Sequence, residues 1–488
     1  MSSPCLPPFD RHLSSTASLL PQSSPTFKSL YHDQALADLR IMTEYSIQRA
    51  RPLKFDQDVQ VRETRQEDNV TDGRPARSQL SFLVGQLPAL IRHIPSYTRR
   101  KGVKHVNPKK HYVWVFDNIA FRASSTDKEE MAANTPLEDS MNSDNPFFKM
   151  MNREKDPWQV EYVAAFFKRK GGKELAKSVG RLCRELDVEQ GSLSEDRVRC
   201  RVQHFVDHVL PGHAIHTSIG HGIRHLHGPS SSSGLSLTFS TLPTTGRDPQ
   251  HVVVNSFPGA KSARCFLAGT TTFAEPTGWG VISDIDDTIK VTLTASSLGV
   301  LTTTFLEEAR PVAGMPQLYS SLQTLLCSPT FFYVSASPYN LYPFLRNFRE
   351  EYFPMGPIML RESTWQSFGG LISSLMEDVQ TYKLDRITKI HSWFPHRRFI
   401  LIGDSTHKDP ETYADVIRKY GDWVVAVFIR RVTGVSDVGN PHQEEKNSDE
   451  RFEKAFEGID TWKWFVFDEP EEVQVIVSQM VDEGTSVS

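Results

Sequence analysis

The chain has 488 residues, more than one ordinary domain holds, and 39% of them are hydrophobic, enough for real cores. Its formal net charge is −4, so bulk charge does not make it a binder of nucleic acid, and attraction to any polyanionic surface has to come from a local patch. The five cysteines are scattered, odd in number and without a CxxC pair, which argues against a disulfide framework and fits a reducing compartment.

The opening MSSPCLPPFD lacks the basic and apolar regions of a signal peptide, and no apolar run reaches the roughly 20 residues that span a bilayer. The expectation is a cytoplasmic protein, soluble or peripheral to a membrane. Residues 1–28, rich in Ser and Pro, read as disordered. Leu36, Leu39, Met42 and Ile47 recur at helical spacing, and residues 52–79 are charged and aperiodic, as a linker is. The stretch 78–110 begins apolar and ends basic. Its Arg92, Arg99, Arg100, Lys101, Lys104, Lys109 and Lys110 face no acid between Asp72 and Asp117. Residues 92–110 read either as a solvated basic loop after a helix or as an anchor on an anionic membrane surface.

HYVWVFDNIAFR (111–122) reads as one strand with a turn after it, and the polar run 124–146 as an inserted loop. Residues 158–186 predict a strand or short helix and then a clear helix. VRCRVQHFVDHV (198–209) alternates as a strand does, and 234–241, 251–257 and 262–273 continue the pattern, so 111–275 is expected to be mainly β. Five histidines, His213, His216, His221, His225 and His227, crowd one segment. No cysteine joins them and their spacing fits no closed tetrahedral zinc site, so the segment is read as an exposed loop.

From residue 276 the pattern changes. Apolar strands at 278–284, 331–335, 398–404 and 423–430 alternate with helical stretches at 315–327, 340–353, 383–394 and 410–421. This predicts an α/β domain over 276–435, a doubly wound, Rossmann-like parallel sheet buried on both faces. The acidic segment 436–488 is expected to add a final strand and helix within 462–481.

The strand ends carry the chemistry. The first ends in DIDDT, with Asp284, Asp286 and Asp287 inside four positions; the second reaches Ser335 and Ser337; Lys383 opens a helix; the third runs into GDSTHKD, with Asp404 and Asp409. In a doubly wound sheet these ends face one crevice. Like charges this close repel each other, so either they form a solvated turn or a cation sits among them. One carboxylate can attack phosphorus, and a second, two residues on and on the same side of an extended chain, can protonate the leaving oxygen and then take a proton from water. Mg²⁺ prefers such hard oxygens, and Ser and Lys can hold the remaining phosphate charge. Singly, each residue has a structural reading: Asp409 before Pro410 makes a good helix cap, and Lys383 alone is a surface lysine.

The ordered set resembles the haloacid-dehalogenase phosphatase superfamily. Within it, GWGVISDIDDTIKVT, FFYVSASPYNLYPFL, TYKLDRITKI and RFILIGDSTHKDPETYADV are similar to the catalytic domain of the fungal actin-patch Mg²⁺-dependent phosphatidate phosphatase family, over about residues 276–432. HYVWVFDNIAFR and WQVEYVAAFF resemble its N-terminal region. The resemblance implies Asp284 as nucleophile, Asp286 as general acid and base, and Thr288 steadying the loop. It implies Ser335, or its neighbour Ser337, on the phosphate and Lys383 between phosphate and nucleophile. Mg²⁺ would be held by Asp284, Asp404, Asp409 and the main-chain carbonyl of Asp286. It further implies phosphatidate or another phosphorylated membrane lipid as substrate, diacylglycerol as product, and a place at cortical actin patches among endocytic proteins.

The gaps between these motifs are too short for an independent cap domain, leaving 291–312 as a small flap over an open site. A protein or soluble-metabolite phosphatase on the same scaffold, and an actin-patch interaction protein, remain as other readings.

Overall fold

The computed structural model describes residues 103–122, 157–219, 223–242, 253–256, 266–362, 380–433 and 445–485. Described residues from His105 onward belong to one compact unit. The readings of 1–28, 29–50, 52–79, 78–102 and the inserted loop 124–146 lie outside the described residues. Among the described residues no helix is long and apolar enough to cross a membrane.

The N-terminal part is mainly β, as its alternation predicts. In chain order it holds β1 (His111–Val115), β2 (Asn118–Phe121), β3 (Trp158–Lys168), α1 (Lys173–Glu185), α2 (Leu193–Val206), β4 (His213–Ile219), β5 (Ile223–His227), β6 (Leu235–Leu242), β7 (Val253–Ser256), β8 (Phe266–Leu267) and β9 (Thr270–Phe273). The long β3 is the hub, pairing antiparallel with β1, β2 and β6.

Three local expectations differ from the structure. Residues 111–122 make two strands, because the chain turns at Phe116 and Asp117 and the Asp117 carboxylate accepts the Thr270 amide at 2.8 Å. The stretch 198–209 is largely helical. Ser192 accepts the Glu195 amide and so caps α2, while Val198 and Val202, one helical turn apart, bury against α1. The S-x-x-E of Ser192 and Glu195 is a helix-start signal, and it outweighs the accidental alternation that follows. The histidine segment is a hairpin, β4 with β5, in which His213 and His227 are buried. Among the described residues none of these histidines belongs to a group able to hold a metal.

The C-terminal part contains β10 (Trp279–Ser283), α3 (Ser297–Leu301), α4 (Met315–Leu325), β11 (Thr330–Pro338), α5 (Tyr342–Tyr352), β12 (Ile358–Arg361), α6 (Gln380–Trp393), β13 (Arg398–Asp404), α7 (Asp409–Tyr420), β14 (Val424–Arg430), α8 (Asp449–Ala455), β15 (Trp464–Phe467) and α9 (Pro470–Thr485). The six strands are all parallel, in the order β12-β11-β10-β13-β14-β15. Numbered from β10, this is 3-2-1-4-5-6, whose switch point lies between β10 and β13. The short β12 was not expected from the sequence.

The two parts share apolar packing. Tyr112, Trp114 and Phe167 belong to the same buried cluster as Val281, Tyr333, Tyr339 and Tyr342. The Phe116 and Tyr342 rings stack with centroids 4.0 Å apart. A buried ion pair runs alongside: Arg349 donates to Asp117 at 2.9 Å, and both side chains are almost fully enclosed. Lys389 on α6 likewise pairs with the buried Glu161 of β3.

Removing one partner of a buried pair strands the other charge. Arg349→Met is therefore expected to cost about 3–5 kcal/mol of stability, read as a lower urea midpoint; a loss below about 1 kcal/mol would mean the pair contributes little. The pH dependence has its own marker. Burial, and then His225 beside it, lowers the His227 pKa to about 3. The unfolded chain takes up a proton below about pH 6.5 that the folded chain refuses until about pH 3, so stability is full above that window and falls as pH drops through it, by about 1.4 kcal/mol per unit. Unfolding at pH 7 and pH 5 should show a loss in the wild type that is smaller in His227→Gln.

Candidate active site

Register alone brings the chemistry together. Ser283 of β10 lies between Tyr333 of β11 and Ile402 of β13. Asp284 is the next residue on its strand, and Ser335 and Asp404 each lie two beyond those partners. All three therefore reach the carboxyl edge of the sheet at the switch point.

Asp284, Asp404 and Asp409 form one buried group whose ligand oxygens lie within 4.8 Å of one another. Lys383 from α6 donates to Asp284 at 2.6 Å and also to Asp409. Thr288 is fully buried and donates to both Asp284, at 3.2 Å, and Asp404, at 3.3 Å. Asp409 does not cap its own helix. Its carboxylate accepts Lys383 and, at 3.2 Å, the Asp404 amide, while the cap position is Lys408. Gly403 makes room for this, since a Cβ there would lie 2.5 Å from the Asp409 carboxylate.

Asp286 stands apart from that group. Its carboxylate accepts Ser335 at 2.7 Å, Ser337 at 2.9 Å and Thr292 at 2.9 Å. Ser335 is fully buried, and of the two serines it is Ser337 that lines the cleft. The cleft, open to solvent, is walled by Asp284, Asp286, Lys383 and His407, with Thr292, Thr294, Val300 and Thr304 on the flap side.

Asp287 has a different task. With φ of 59°, it turns its carboxylate away to accept the amides of Thr292, Leu293 and Thr294 at 2.7–2.8 Å and the Thr294 hydroxyl at 2.6 Å. It thereby ties down the root of the flap. The flap is α3 running into a π-helical turn, Thr302–Leu306. Its outer side, through Leu301 and Phe305, packs on α1 and α2. Arg201 donates to the carbonyls of Thr304 at 2.9 Å and Glu307 at 2.6 Å, and Arg197 to that of Leu306 at 2.8 Å.

The electrostatics follow from burial. Desolvation raises the Asp284 pKa well above its ordinary value; Lys383 opposes that, while Asp409, Asp404 and Asp286 add to it. Burial and then Asp409 likewise raise Asp404. Burial disfavours the Lys383 charge, but Asp284, Asp409 and Asp404 more than reverse this, and its pKa is raised. Burial also opposes the Asp286 charge. There the buried Lys290 and the hydroxyls of Ser335, Thr292 and Ser337 win, and the carboxyl is held below its usual range. Three crowded carboxylates served by one lysine form a hard-oxygen donor set with negative charge left over, which suits a divalent cation such as Mg²⁺.

The structure thus brings together Asp284, Asp286, Thr288, Ser335, Ser337, Lys383, Asp404 and Asp409. Sequence reasoning missed Lys290, Thr292 and Thr294, although their alternation after DIDDT was visible. It also missed Arg451 of α8, which donates to the carbonyls of Ser405 and His407 and pairs with Glu411, bracing the loop between Asp404 and Asp409. No sequence signal links a residue that distant to the loop.

Residues 279–431 match the family model described as the catalytic domain of phosphatidate phosphatase APP1. The chain is 32% identical over 179 residues to phosphatidate phosphatase APP1 of Saccharomyces cerevisiae, covering 36% of this chain and 30% of that protein. It is 27% identical over 160 residues to an uncharacterized protein of Schizosaccharomyces pombe, covering 32% of this chain and 25% of that one. The matches thus span less than a third of the length of either relative. The resemblance read from the motifs is borne out over the catalytic segment.

Asp287→Ala leaves two buried amides, of Thr292 and Thr294, and the part-buried amide of Leu293 without their acceptor, each buried one worth about 1–3 kcal/mol. The expected outcome is a loss of at least about 2 kcal/mol in denaturant unfolding. An unchanged midpoint would mean that the flap root is held by other contacts.

Proposed function

We propose that the chain is a Mg²⁺-dependent phosphatidate phosphatase that releases phosphate from phosphatidate and leaves diacylglycerol, through an acyl phosphate formed on Asp284. The observation that carries this is the convergence of Asp284, Asp286, Lys383, Asp404 and Asp409 on one cleft at the switch point, within the segment that matches the phosphatidate phosphatase family.

In the first step an Asp284 oxygen attacks phosphorus and the bond to the diacylglycerol oxygen breaks. Asp286 gives that oxygen its proton. In the second step water attacks phosphorus, Asp286 takes the water's proton and the bond to Asp284 breaks. Lys290 favours the charged form of Asp286, which serves the second step, while the negative phosphate of a bound substrate pushes its proton affinity up for the first. Lys383 keeps its proton and sits where the nucleophile and a phosphoryl oxygen meet. Ser335 and Ser337 hold Asp286 in place, and Ser337 and Thr292 face the incoming phosphate. Mg²⁺, held by Asp284, Asp404, Asp409 and the main-chain carbonyl of Asp286, would neutralise the carboxylates and polarise the phosphoryl oxygens.

The same reading puts the enzyme peripherally on cortical or endocytic membranes, with the basic stretch 92–110 drawn to anionic headgroups and actin-patch proteins as partners. Neutralising Arg99, Arg100 and Lys101 should then weaken vesicle binding in a salt-dependent way.

The deciding measurement is phosphate release from phosphatidate in mixed micelles, with and without Mg²⁺, in the wild type and in Asp284→Asn. Release that needs Mg²⁺ and falls at least about a thousandfold in the variant supports the reading. Mg²⁺-dependent release from p-nitrophenyl phosphate but not from phosphatidate would keep the site and discard the lipid. No release from either would leave a scaffold role.

A further inference from the structure

We propose that Arg451, which lies beyond the segment that matches the catalytic-domain family, is a positioning residue that holds the loop between Asp404 and Asp409 in the shape a divalent cation requires. The inference rests on the Mg²⁺ part of the reading above; its test reads cation binding and not phosphatidate.

Local sequence puts the arginine in reach. Ser448 caps α8 and accepts the Arg451 amide at 3.3 Å, so Arg451 sits in the first turn of that helix. Phe452, Ala455 and Phe456 bury in the same cluster as Tyr413, Val416 and Ile417 of α7, which seats α8 against α7. The family match ends at residue 431, so this helix is an addition to the matched segment.

One guanidinium then makes five bonds. Nη1 donates to the carbonyls of Ser405 at 2.6 Å and Lys446 at 2.7 Å, and Nη2 to the carbonyl of His407 at 2.5 Å. Nε and Nη2 pair with the two carboxylate oxygens of Glu411 at 2.9 and 3.0 Å. Glu411 stands in the first turn of α7, two residues after Asp409. A single side chain thus grips alternate carbonyls of the loop together with the helix that carries Asp409. Asn447 adds a second tie, accepting the Ser405 hydroxyl at 2.6 Å and donating to the Val432 carbonyl at 2.8 Å.

The loop needs such a hold. Asp404 and Asp409 are buried, and their ligand oxygens lie within 4.8 Å of each other and of Asp284. Like charges at that spacing push apart. Within the loop, Asp404 accepts the Thr406 amide at 2.6 Å and Asp409 accepts the Asp404 amide at 3.2 Å. Those bonds fix each carboxylate to the loop, and Arg451 fixes the loop to the domain. Groups that orient metal ligands from behind typically contribute about 10–100-fold to metal affinity.

Two plainer roles for Arg451 give different results. A positive charge close to the site repels a cation, so if charge were its only effect, removing it would tighten cation binding. If it only fastened α8, its loss would lower stability and leave cation binding alone. Arg418 supplies the comparison, because it donates to the carbonyls of Ala455 at 2.7 Å and Glu457 at 3.1 Å, at the other end of α8.

The test titrates Mn²⁺ into the full chain and follows the free ion by its electron paramagnetic resonance signal. Mn²⁺ takes the same oxygen ligands as Mg²⁺. The proteins are the wild type, Arg451→Gln, Arg451→Lys, Arg418→Gln, and Asp404→Asn to define the site. Thermal unfolding checks that each is folded. The expected result is wild-type binding that Asp404→Asn abolishes and that is at least about tenfold weaker in Arg451→Gln. Arg451→Lys keeps the charge without the planar fork, so it too should bind more weakly than the wild type, and Arg418→Gln should bind as the wild type does. Unchanged or tighter binding in Arg451→Gln, or equal weakening in Arg418→Gln, would overturn the proposal and leave the phosphatase reading standing. Wild-type binding that Asp404→Asn does not change would overturn both the proposal and the Mg²⁺ part of that reading. The expected pattern in a chain that releases no phosphate from phosphatidate would uphold Arg451 and reject the lipid substrate.

Discussion

Lys383 places one positive charge between two buried carboxylates, Asp284 and Asp409, and the rest of the cleft is arranged around that pairing. A single ammonium does not balance three acids that share one enclosed space. Burial makes the excess costly, because removing charge from water disfavours the ionised form. A site that kept this imbalance for stability alone would be a poor design. It is a reasonable one for a site whose acids are to share a cation. Thr288, Gly403 and Tyr413 serve the same arrangement. Thr288 bridges two of the acids, Gly403 lets Asp409 approach, and the Tyr413 hydroxyl donates to the Ile402 carbonyl at 3.2 Å beneath them.

The carboxylates of DIDDT separate into three tasks through their neighbours. Asp284 faces the acid cluster and Lys383. Asp286, two residues on, faces Ser335, Ser337 and Thr292. Asp287 turns back to hold the backbone of 292–294. One short sequence thus supplies an acid beside the lysine, an acid among hydroxyls and a loop anchor. The anchoring matters because the flap wall, with Val300 and Thr304, begins where Asp287 fixes it. The far end of the flap is held from elsewhere, by Arg197 and Arg201 of α2. The N-terminal part is therefore structurally involved in the cleft, although among the described residues no side chain from it lines the cavity.

The two parts are joined by packed aromatic rings and by buried ion pairs, Asp117 with Arg349 and Glu161 with Lys389. Such pairs are weak contributors to net stability but costly to break, so they fix one relative placement more than they add to cohesion. That placement sets the flap against α1 and α2.

The sequence by itself determined the parallel sheet and the ordered set on its strand ends. Continuous apolar runs such as RFILIGD and WVVAVFIR are specific to buried strands, and the spacing of Asp284, Asp286, Ser335, Lys383, Asp404 and Asp409 carries its meaning locally. The main errors lay where two local signals competed. At 198–206 the alternation of the residues misled, while the cap at Ser192 and Glu195 was the better guide. In the histidine segment, polar composition suggested a loop, yet hairpin pairing buried His213 and His227. Only the tertiary structure decided which serine lines the cleft, what Asp287 holds, how Arg451 braces the loop after Asp404, and where the flap is clamped. Those are contacts between residues far apart in the chain. Their partners are chosen by packing and strand register, which no local pattern of residues encodes.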